Sequence, residues 1–163
     1  MPKPELLECF DNPAPNRPYL IEHVAEEFTS VCPKTGHPDF GVVTLRYVPA
    51  GRCVELKAFK LYLQSFRSEG IFYEAVTSRI ADDLIAAMDP RWLQLMTQWR
   101  GRGGIRSNIT VEHGVYPAGA PGAAGPAPTD DDEDPFPGDD DEGQRLRPGE
   151  DDDDAPPPGF DDR

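Results

Sequence analysis

The chain has 163 residues, of which 37% are hydrophobic and 28% are charged, and its formal net charge is −14. Residues 130–163 hold 16 acidic and 3 basic side chains, which leaves 14 acidic and 13 basic side chains for the rest of the chain. This near-neutral body lacks the basic excess that duplex nucleic-acid binding requires. No apolar run approaches the roughly 20 residues of a membrane span, so no membrane partner is expected.

The N-terminus carries no apolar segment of the kind found in secretion signals. We therefore expect a cytoplasmic protein, in which the three cysteines are thiols and not a disulfide framework. We interpret Cys9 as simply exposed and Cys53 as packed in a strand, which leaves Cys32 as the cysteine of interest.

Composition divides the chain into three parts. Residues 1–18 contain five prolines and predict an extended N-terminal arm. Residues 19–116 form one predicted domain of about 100 residues, a common domain size that is small for enclosing an enzyme site. A domain of this size often completes its site by oligomerising. Residues 117–163 are rich in Pro, Gly and acidic blocks, which predicts a disordered tail.

Hydrophobic periodicity in residues 19–116 predicts a β-β-α-α-β-β order. The predicted elements, in chain order, are a strand with some helical character at Tyr19–Ser30, a strand at Phe40–Val48 with a short continuation at Cys53–Lys57, helices at Ala58–Ser68 and Ile71–Met88, and a strand pair at Trp92–Trp99 and Ile105–Glu112. A glycine-rich turn at residues 100–104 joins the last two strands.

Cys32 and Asp39 flank a loop that contains two prolines and a glycine. Such a loop can fold Asp39 back toward Cys32, and the charge of Lys34 favours the thiolate, which is the nucleophilic form. A thiolate beside a carboxylic acid is a nucleophile with a proton donor. The alternative is an unreactive thiol, because a lone cysteine after an apolar strand is usually a small buried hydrophobe.

Metal binding is only weakly indicated. The spacing from Cys32 to His37 does not match the paired ligand spacings of zinc sites, and the other histidines, His23 and His113, are far away in sequence. We therefore predict no metal site.

Basic and acidic residues near the predicted helix starts are candidates for ligand binding. Lys57 and Lys60 share a helix face and, beside N-terminal amides, form a plausible phosphate site; an ordinary solvated basic face is the alternative. Arg102, in the glycine-rich turn, is a further candidate for phosphate contact. Glu74 could pair with the guanidine-like edge of a pterin or deazapurine, although a carboxylate is also simply favourable in a first helical turn.

Four segments of the chain occur in an order and spacing typical of one enzyme family. They are Phe28-Thr-Ser-Val-Cys-Pro-Lys-Thr-Gly with Pro38-Asp-Phe, Glu55-Leu-Lys-Ala-Phe-Lys-Leu-Tyr, Gly70-Ile-Phe-Tyr-Glu and Arg102-Gly-Gly-Ile. From about Arg17 to His113 the chain resembles the NADPH-dependent 7-cyano-7-deazaguanine reductases (QueF) in their short, single-module form.

The resemblance implies an α+β tunnelling fold (T-fold), which GTP cyclohydrolases share. In this fold an antiparallel sheet carries two helices per subunit, subunits join into barrels, and active sites form between subunits. The implied partners are a homo-oligomer and the substrate 7-cyano-7-deazaguanine. The implied reaction is the NADPH-dependent, four-electron reduction of a nitrile to a primary amine in queuosine biosynthesis, a tRNA-modification pathway.

The resemblance also implies roles for single residues. Cys32 matches the nucleophile that forms a covalent thioimide, and Asp39 matches the general acid. The implied substrate-binding residues are Val54, Glu55, Leu56, Tyr73 and Glu74. The implied NADPH-binding residues are Lys57 and Lys60, to which we add Arg102 because of its place in the glycine-rich turn. Members of the family often carry His where this chain has Tyr73.

Two other functions are compatible with parts of the sequence. One is another T-fold enzyme, such as a zinc-dependent GTP cyclohydrolase, which would need a set of metal ligands. The other is a non-catalytic interaction protein that acts through its acidic tail.

Overall fold

A computed structural model describes residues 2–122 of the chain. Most of the predicted disordered tail, residues 123–163, lies outside the described residues. The elements in chain order are a 3-10 helix at Pro4–Leu6, β1 at Cys9–Asp11, β2 at Ile21–Val31, β3 at Pro38–Val48, β4 at Arg52–Val54, α1 at Leu56–Gln64, α2 at Tyr73–Met88, β5 at Trp92–Arg102 and β6 at Ile105–Gly114.

The main sheet has four antiparallel strands in the order β2-β3-β5-β6. Side chains alternate along its two central strands, so that every second residue faces the helices. This face buries Leu45 of β3 and Leu95 of β5, which are direct cross-strand partners. Both belong to one core cluster with Tyr62 of α1 and Ile80 of α2. The two helices therefore cover one face of the sheet.

Helix α2 is buried along a single stripe. Val76, Ile80, Leu84 and Met88 recur every fourth residue, and each is at most 1% exposed. The helix ends at Met88, as predicted, because Asp89 adopts a left-handed conformation with φ 47° ahead of a proline. Among residues 2–122, no helix is long and apolar enough to cross a membrane.

Helix α1 begins earlier than the sequence pattern suggested. The predicted strand continuation to Lys57 is wrong, because Glu55 acts as the N-cap of α1. Its carboxylate accepts hydrogen bonds from the backbone amides of Lys57, at 2.9 Å, and Ala58, at 2.7 Å. These bonds satisfy amides that have no partner inside the helix.

The predicted extended arm contains regular structure that contacts the domain. Strand β1 pairs with β4, and Leu6 and Leu7 pack against the core cluster. Cys9 is half-buried, with its Sγ atom 3.6 Å from the carbonyl oxygen of Ala87, so the interpretation of Cys9 as simply exposed is wrong. The prolines of this segment indicated an extended chain, but its few apolar residues supply enough contacts to hold it on the domain.

Candidate active site

Cys32 lies in the tight loop that joins β2 to β3. The backbone amide of Cys32 donates to the carbonyl oxygen of His37, and the amide of Gly36 donates back to the carbonyl of Cys32, both at 2.9 Å. Gly36 has a φ of 71°, a conformation that residues with a side chain rarely adopt. The loop returns the chain at once into β3, which places Asp39 opposite Ser30 and near the loop.

The loop also activates the thiol. A hydrogen bond from the Thr35 side chain, followed by bonds from the backbone amides of Thr35 and Lys34, lowers the pKa of Cys32 to about 7. The side chain of Arg102 adds a smaller contribution in the same direction. A large fraction of Cys32 is therefore thiolate at neutral pH. From the sequence we expected the charge of Lys34 to lower the pKa of Cys32, whereas in the structure Lys34 contributes through a hydrogen bond from its backbone amide.

Asp39 is the buried carboxylate of the site, with 3% of the residue exposed. The Tyr73 hydroxyl donates to its Oδ1 atom at 2.7 Å. The Nη2 atom of Arg102 lies 2.5 Å from the same oxygen and also donates to the carbonyl of Pro38 at 3.1 Å. Residues from β3, α2 and the end of β5 thus meet at one carboxylate oxygen.

Tyr73 is held by its ring as well as its hydroxyl. The ring stacks on Trp99 with a centroid distance of 4.0 Å and an interplanar angle of 10°. Burial, followed by the hydrogen bond to Asp39, raises the pKa of Tyr73 to about 12. Tyr73 is therefore a neutral hydrogen-bond donor throughout the physiological pH range.

These residues line a cavity of about 250 Å³. Its lining combines the thiol, the buried acid and its two donors with an exposed carboxylate in the first turn of α2: Cys32, Asp39, Tyr73, Arg102 and Glu74, besides Pro33, Ile71 and Phe72. The structure therefore brings together five of the residues that the sequence singled out. The cavity therefore brings a thiol, a buried carboxyl group and an exposed carboxylate together at one place.

The remaining predicted residues lie elsewhere. Glu55, Leu56, Lys57 and Lys60 line a second cavity of about 620 Å³ between β2 and α1, together with Arg67. Two acidic residues of β2, Glu26 and Glu27, also border it. Val54 is 3% exposed and belongs to the core cluster. Within one subunit, the two groups of predicted residues therefore occupy two separate cavities.

Sequence reasoning missed three parts of the site. Thr35 gives the largest contribution to the low pKa of Cys32, Trp99 stacks on Tyr73, and Arg102 pairs with Asp39. The prediction that Arg102 contacts NADPH stays a prediction. Among residues 2–122, no three His, Cys, Asp or Glu side chains come together as metal ligands.

The fold has a solved counterpart. A crystal structure described as the archaeosine synthase QueF-Like in the apo form superposes on this chain with a TM-score of 0.57. The two sequences are 24% identical, and the match covers 63% of this chain and 100% of the solved chain. At this identity the likeness concerns the fold alone. It confirms the predicted α+β T-fold, with antiparallel strands and two helices.

Sequence comparison is more specific. The family described as QueF-like protein matches residues 38–117. A protein of Anaeromyxobacter sp. (strain K) is 58% identical over 113 residues, which are 69% of this chain and 93% of the relative. One of Chlorobium phaeovibrioides (strain DSM 265 / 1930) is 58% identical over 111 residues, 68% of this chain and 96% of the relative. Both are named NADPH-dependent 7-cyano-7-deazaguanine reductase. With this identity over almost the whole of both relatives, the chain belongs to the QueF family of 7-cyano-7-deazaguanine reductases.

Proposed function

We propose that this chain reduces the nitrile of 7-cyano-7-deazaguanine to the primary amine of 7-aminomethyl-7-deazaguanine, with NADPH as the reductant, in queuosine biosynthesis. The names of its relatives support the reaction and the cofactor. The observation that carries the chemistry is Cys32, whose pKa of about 7 places a thiolate at a cavity that Asp39 and Glu74 also line.

Cys32 is the proposed nucleophile. Its thiolate adds to the nitrile carbon, one π bond of the nitrile breaks, and the nitrogen takes up a proton to give a thioimide. This step helps because a nitrile is a poor hydride acceptor, whereas a protonated thioimide is electrophilic. After the first hydride addition, the C–S bond keeps the half-reduced substrate on the enzyme. Cleavage of this bond returns the Cys32 thiolate and leaves an imine, which the second hydride and a proton convert to the amine.

Asp39 is the proposed proton donor. Its Oδ1 atom already accepts hydrogen bonds from Tyr73 and Arg102, so the proton that it delivers belongs on Oδ2. Tyr73 and Arg102 would fix the plane of the carboxyl group and aim Oδ2 at the nitrile nitrogen.

Recognition of the substrate is assigned to carboxylates. Glu74 lines the cavity and is exposed, which leaves its oxygens accessible to the N–H groups of a deazaguanine edge. Glu55 and Leu56 are assigned to the same substrate, in a site that a second subunit completes. Val54 would support them from the core, since its side chain is buried.

The second cavity suits a phosphate-bearing cofactor. Lys57, Lys60 and Arg67 line this cavity of about 620 Å³, and apolar side chains of α1 also border it. When bound, NADPH supplies the hydrides of the reduction. We assign Lys57 and Lys60 to its phosphates. We assign Arg102 to Asp39, in place of the phosphate contact that its position in the glycine-rich turn suggested.

The separation of the two cavities supports an assembly of subunits. We propose a homo-oligomer in which the Cys32 cavity of one subunit faces the Lys57 cavity of another, so that nitrile and cofactor meet. The predicted cytoplasmic location agrees with a pathway of tRNA modification and belongs to the same proposal.

Single substitutions test the assigned roles. Cys32→Ala should abolish both the covalent adduct with the nitrile and turnover, whereas Asp39→Ala should impair turnover more than substrate binding. Cys9→Ala is the matched control, because it removes a half-buried thiol outside the cavity. Turnover by Cys32→Ala at the rate of the unmodified enzyme would disprove the mechanism.

A further inference from the structure

A hydrogen-bonded path connects Trp99 to the backbone of Tyr73. The indole Nε1 of Trp99 donates to Oγ1 of Thr97 at 3.0 Å, and Oγ1 of Thr97 lies 2.6 Å from Oγ1 of Thr77. Thr77 in turn donates to the carbonyl oxygen of Tyr73 at 2.6 Å. Because an indole only donates and a carbonyl only accepts, the direction of every bond is fixed. Each threonine hydroxyl accepts once and donates once.

The two residues at the ends of the path also stack on each other, and the residues between them are buried. Trp99 stacks on the ring of Tyr73, the residue whose carbonyl ends the path. Thr77 and Thr97 are fully buried, and Trp99 is 1% exposed. Loss of one hydroxyl would leave its neighbours without a hydrogen-bond partner. Because a buried polar group without a partner costs free energy, each bond of the path helps to fix the others. The ring of Tyr73 and the first turn of α2 are therefore held from β5.

The path ends at the backbone of Tyr73, whose side chain contacts the proposed acid, Asp39. The Tyr73 hydroxyl bonds Oδ1 of Asp39 at 2.7 Å. Neither threonine lines the cavity. A displacement of the indole would move the stacked phenol, and with it one of the two donors that orient the acid.

We propose that Thr97 and Thr77 are positioning residues, which lock Trp99 against Tyr73 and thereby hold the Tyr73 hydroxyl on Asp39. The inference rests on the proposed function, because Asp39 is the acid of that reaction. Thr97 and Thr77 act only through Tyr73, and they do not contact the substrate.

The test compares Thr97→Val, which keeps the shape and removes the hydroxyl, with Thr97→Ser, which keeps the hydroxyl. In the purified enzyme with 7-cyano-7-deazaguanine and saturating NADPH, Thr97→Val should lower kcat by about tenfold or more with little change in KM. Thr97→Ser should retain kcat close to that of the unmodified enzyme. Thr44→Val, on the neighbouring strand β3, is the matched control.

The same substitution in a Tyr73→Phe background shows whether Thr97 acts through the Tyr73 hydroxyl. In Tyr73→Phe, which lacks the hydroxyl, adding Thr97→Val should cause no further loss of kcat. An equal loss in both backgrounds would mean that Thr97 serves general packing, and it would overturn the proposal. Unchanged kcat in Thr97→Val would overturn it as well. Thr77→Val, measured in the same way, covers the case in which Thr97→Val does not fold.

A structural readout separates this inference from the proposed reaction. A crystal structure of Thr97→Val should show the Tyr73 Oη to Asp39 Oδ1 distance lengthened beyond hydrogen-bonding range. A distance that stays at the present 2.7 Å contradicts the positioning role, whether or not the enzyme reduces nitriles. Absence of turnover in the unmodified enzyme would contradict the proposed reaction and leave this readout decisive for the threonines.

Discussion

Arg102 holds a guanidinium nitrogen 2.5 Å from Oδ1 of Asp39, which connects the end of β5 to the start of β3. The turn that follows Arg102 makes this contact possible. Gly103 and Gly104 have φ values of 58° and 77°, the conformation of a two-residue hairpin turn that favours glycine at both positions. Arg102 pairs with Ile105 across this turn, so its backbone is fixed in the sheet while its side chain reaches Asp39.

We expect Arg102→Gln to lower kcat at saturating NADPH by about tenfold or more, because a hydrogen bond to a charged group contributes about 1.5–3 kcal/mol. Lys60→Gln should instead raise the KM for NADPH with a smaller effect on kcat. Steady-state kinetics with NADPH varied would distinguish the two. A raised KM with unchanged kcat in Arg102→Gln would return this residue to a phosphate-binding role.

The reactivity of Cys32 should depend on Thr35. Hydrogen bonds from Thr35 are the largest cause of the low pKa of Cys32, about 7. Thr35→Val removes the side-chain bond, so the pKa of Cys32 should rise and the thiolate fraction at neutral pH should fall. We expect alkylation by iodoacetamide to slow by about threefold or more at neutral pH and to recover at high pH, where both thiols are ionised.

Thr35→Ser is the matched control, since it keeps the hydroxyl and should keep the pH profile of alkylation. Mass spectrometry of the Cys32 peptide gives the rate at this thiol alone. A Thr35→Val profile that coincides with that of the unmodified protein would show that the side chain of Thr35 does not activate the thiol.

Glu74 should determine affinity for the substrate. In a Cys32→Ala background, where no covalent bond forms, Glu74→Gln should weaken binding of 7-cyano-7-deazaguanine by roughly 10-fold or more, because charge-assisted hydrogen bonds are lost. Isothermal titration calorimetry measures the affinity directly. Asp82→Asn, exposed on the same helix, should bind like its parent. Equal affinity of Glu74→Gln and its parent would remove Glu74 from the substrate site.

The sequence predicted the order of the elements well because their periodicity is local. The alternation of buried and more exposed side chains in β3 and the four-residue spacing of Val76 and Ile80 in α2 are visible in the sequence. The start of α1 was misjudged because Glu55 caps the helix, and a capping carboxylate resembles any other acidic residue in the sequence. Elements were thus predictable where side-chain periodicity decides them.

The site was only partly predictable for a related reason. Cys32 and Asp39 stand at the two ends of one short turn, so their proximity followed from the turn residues between them. The contact of Arg102 with Asp39 spans more than 60 residues and depends on the register between β3 and β5. The Trp99 stack on Tyr73 likewise depends on how α2 lies on the sheet. No local pattern encodes such contacts.

The acidic tail should be dispensable for turnover. The residues that line both cavities lie between His23 and Arg102. We therefore expect a chain ending at Pro128 to keep nearly the full kcat of the complete chain. Thermal unfolding of both proteins controls for a loss of folding. A truncated chain that is folded but inactive would favour the alternative in which the tail carries the function.

The most direct test combines two readouts on the complete chain with 7-cyano-7-deazaguanine. The first is the intact mass of the protein without NADPH, and the second is nicotinamide absorbance after NADPH is added. We expect a covalent adduct that maps to Cys32, and two NADPH consumed for each nitrile, since two hydrides carry the four electrons. Neither an adduct nor NADPH consumption would contradict the proposed reduction, and an adduct at Cys9 or Cys53 would contradict the role of Cys32.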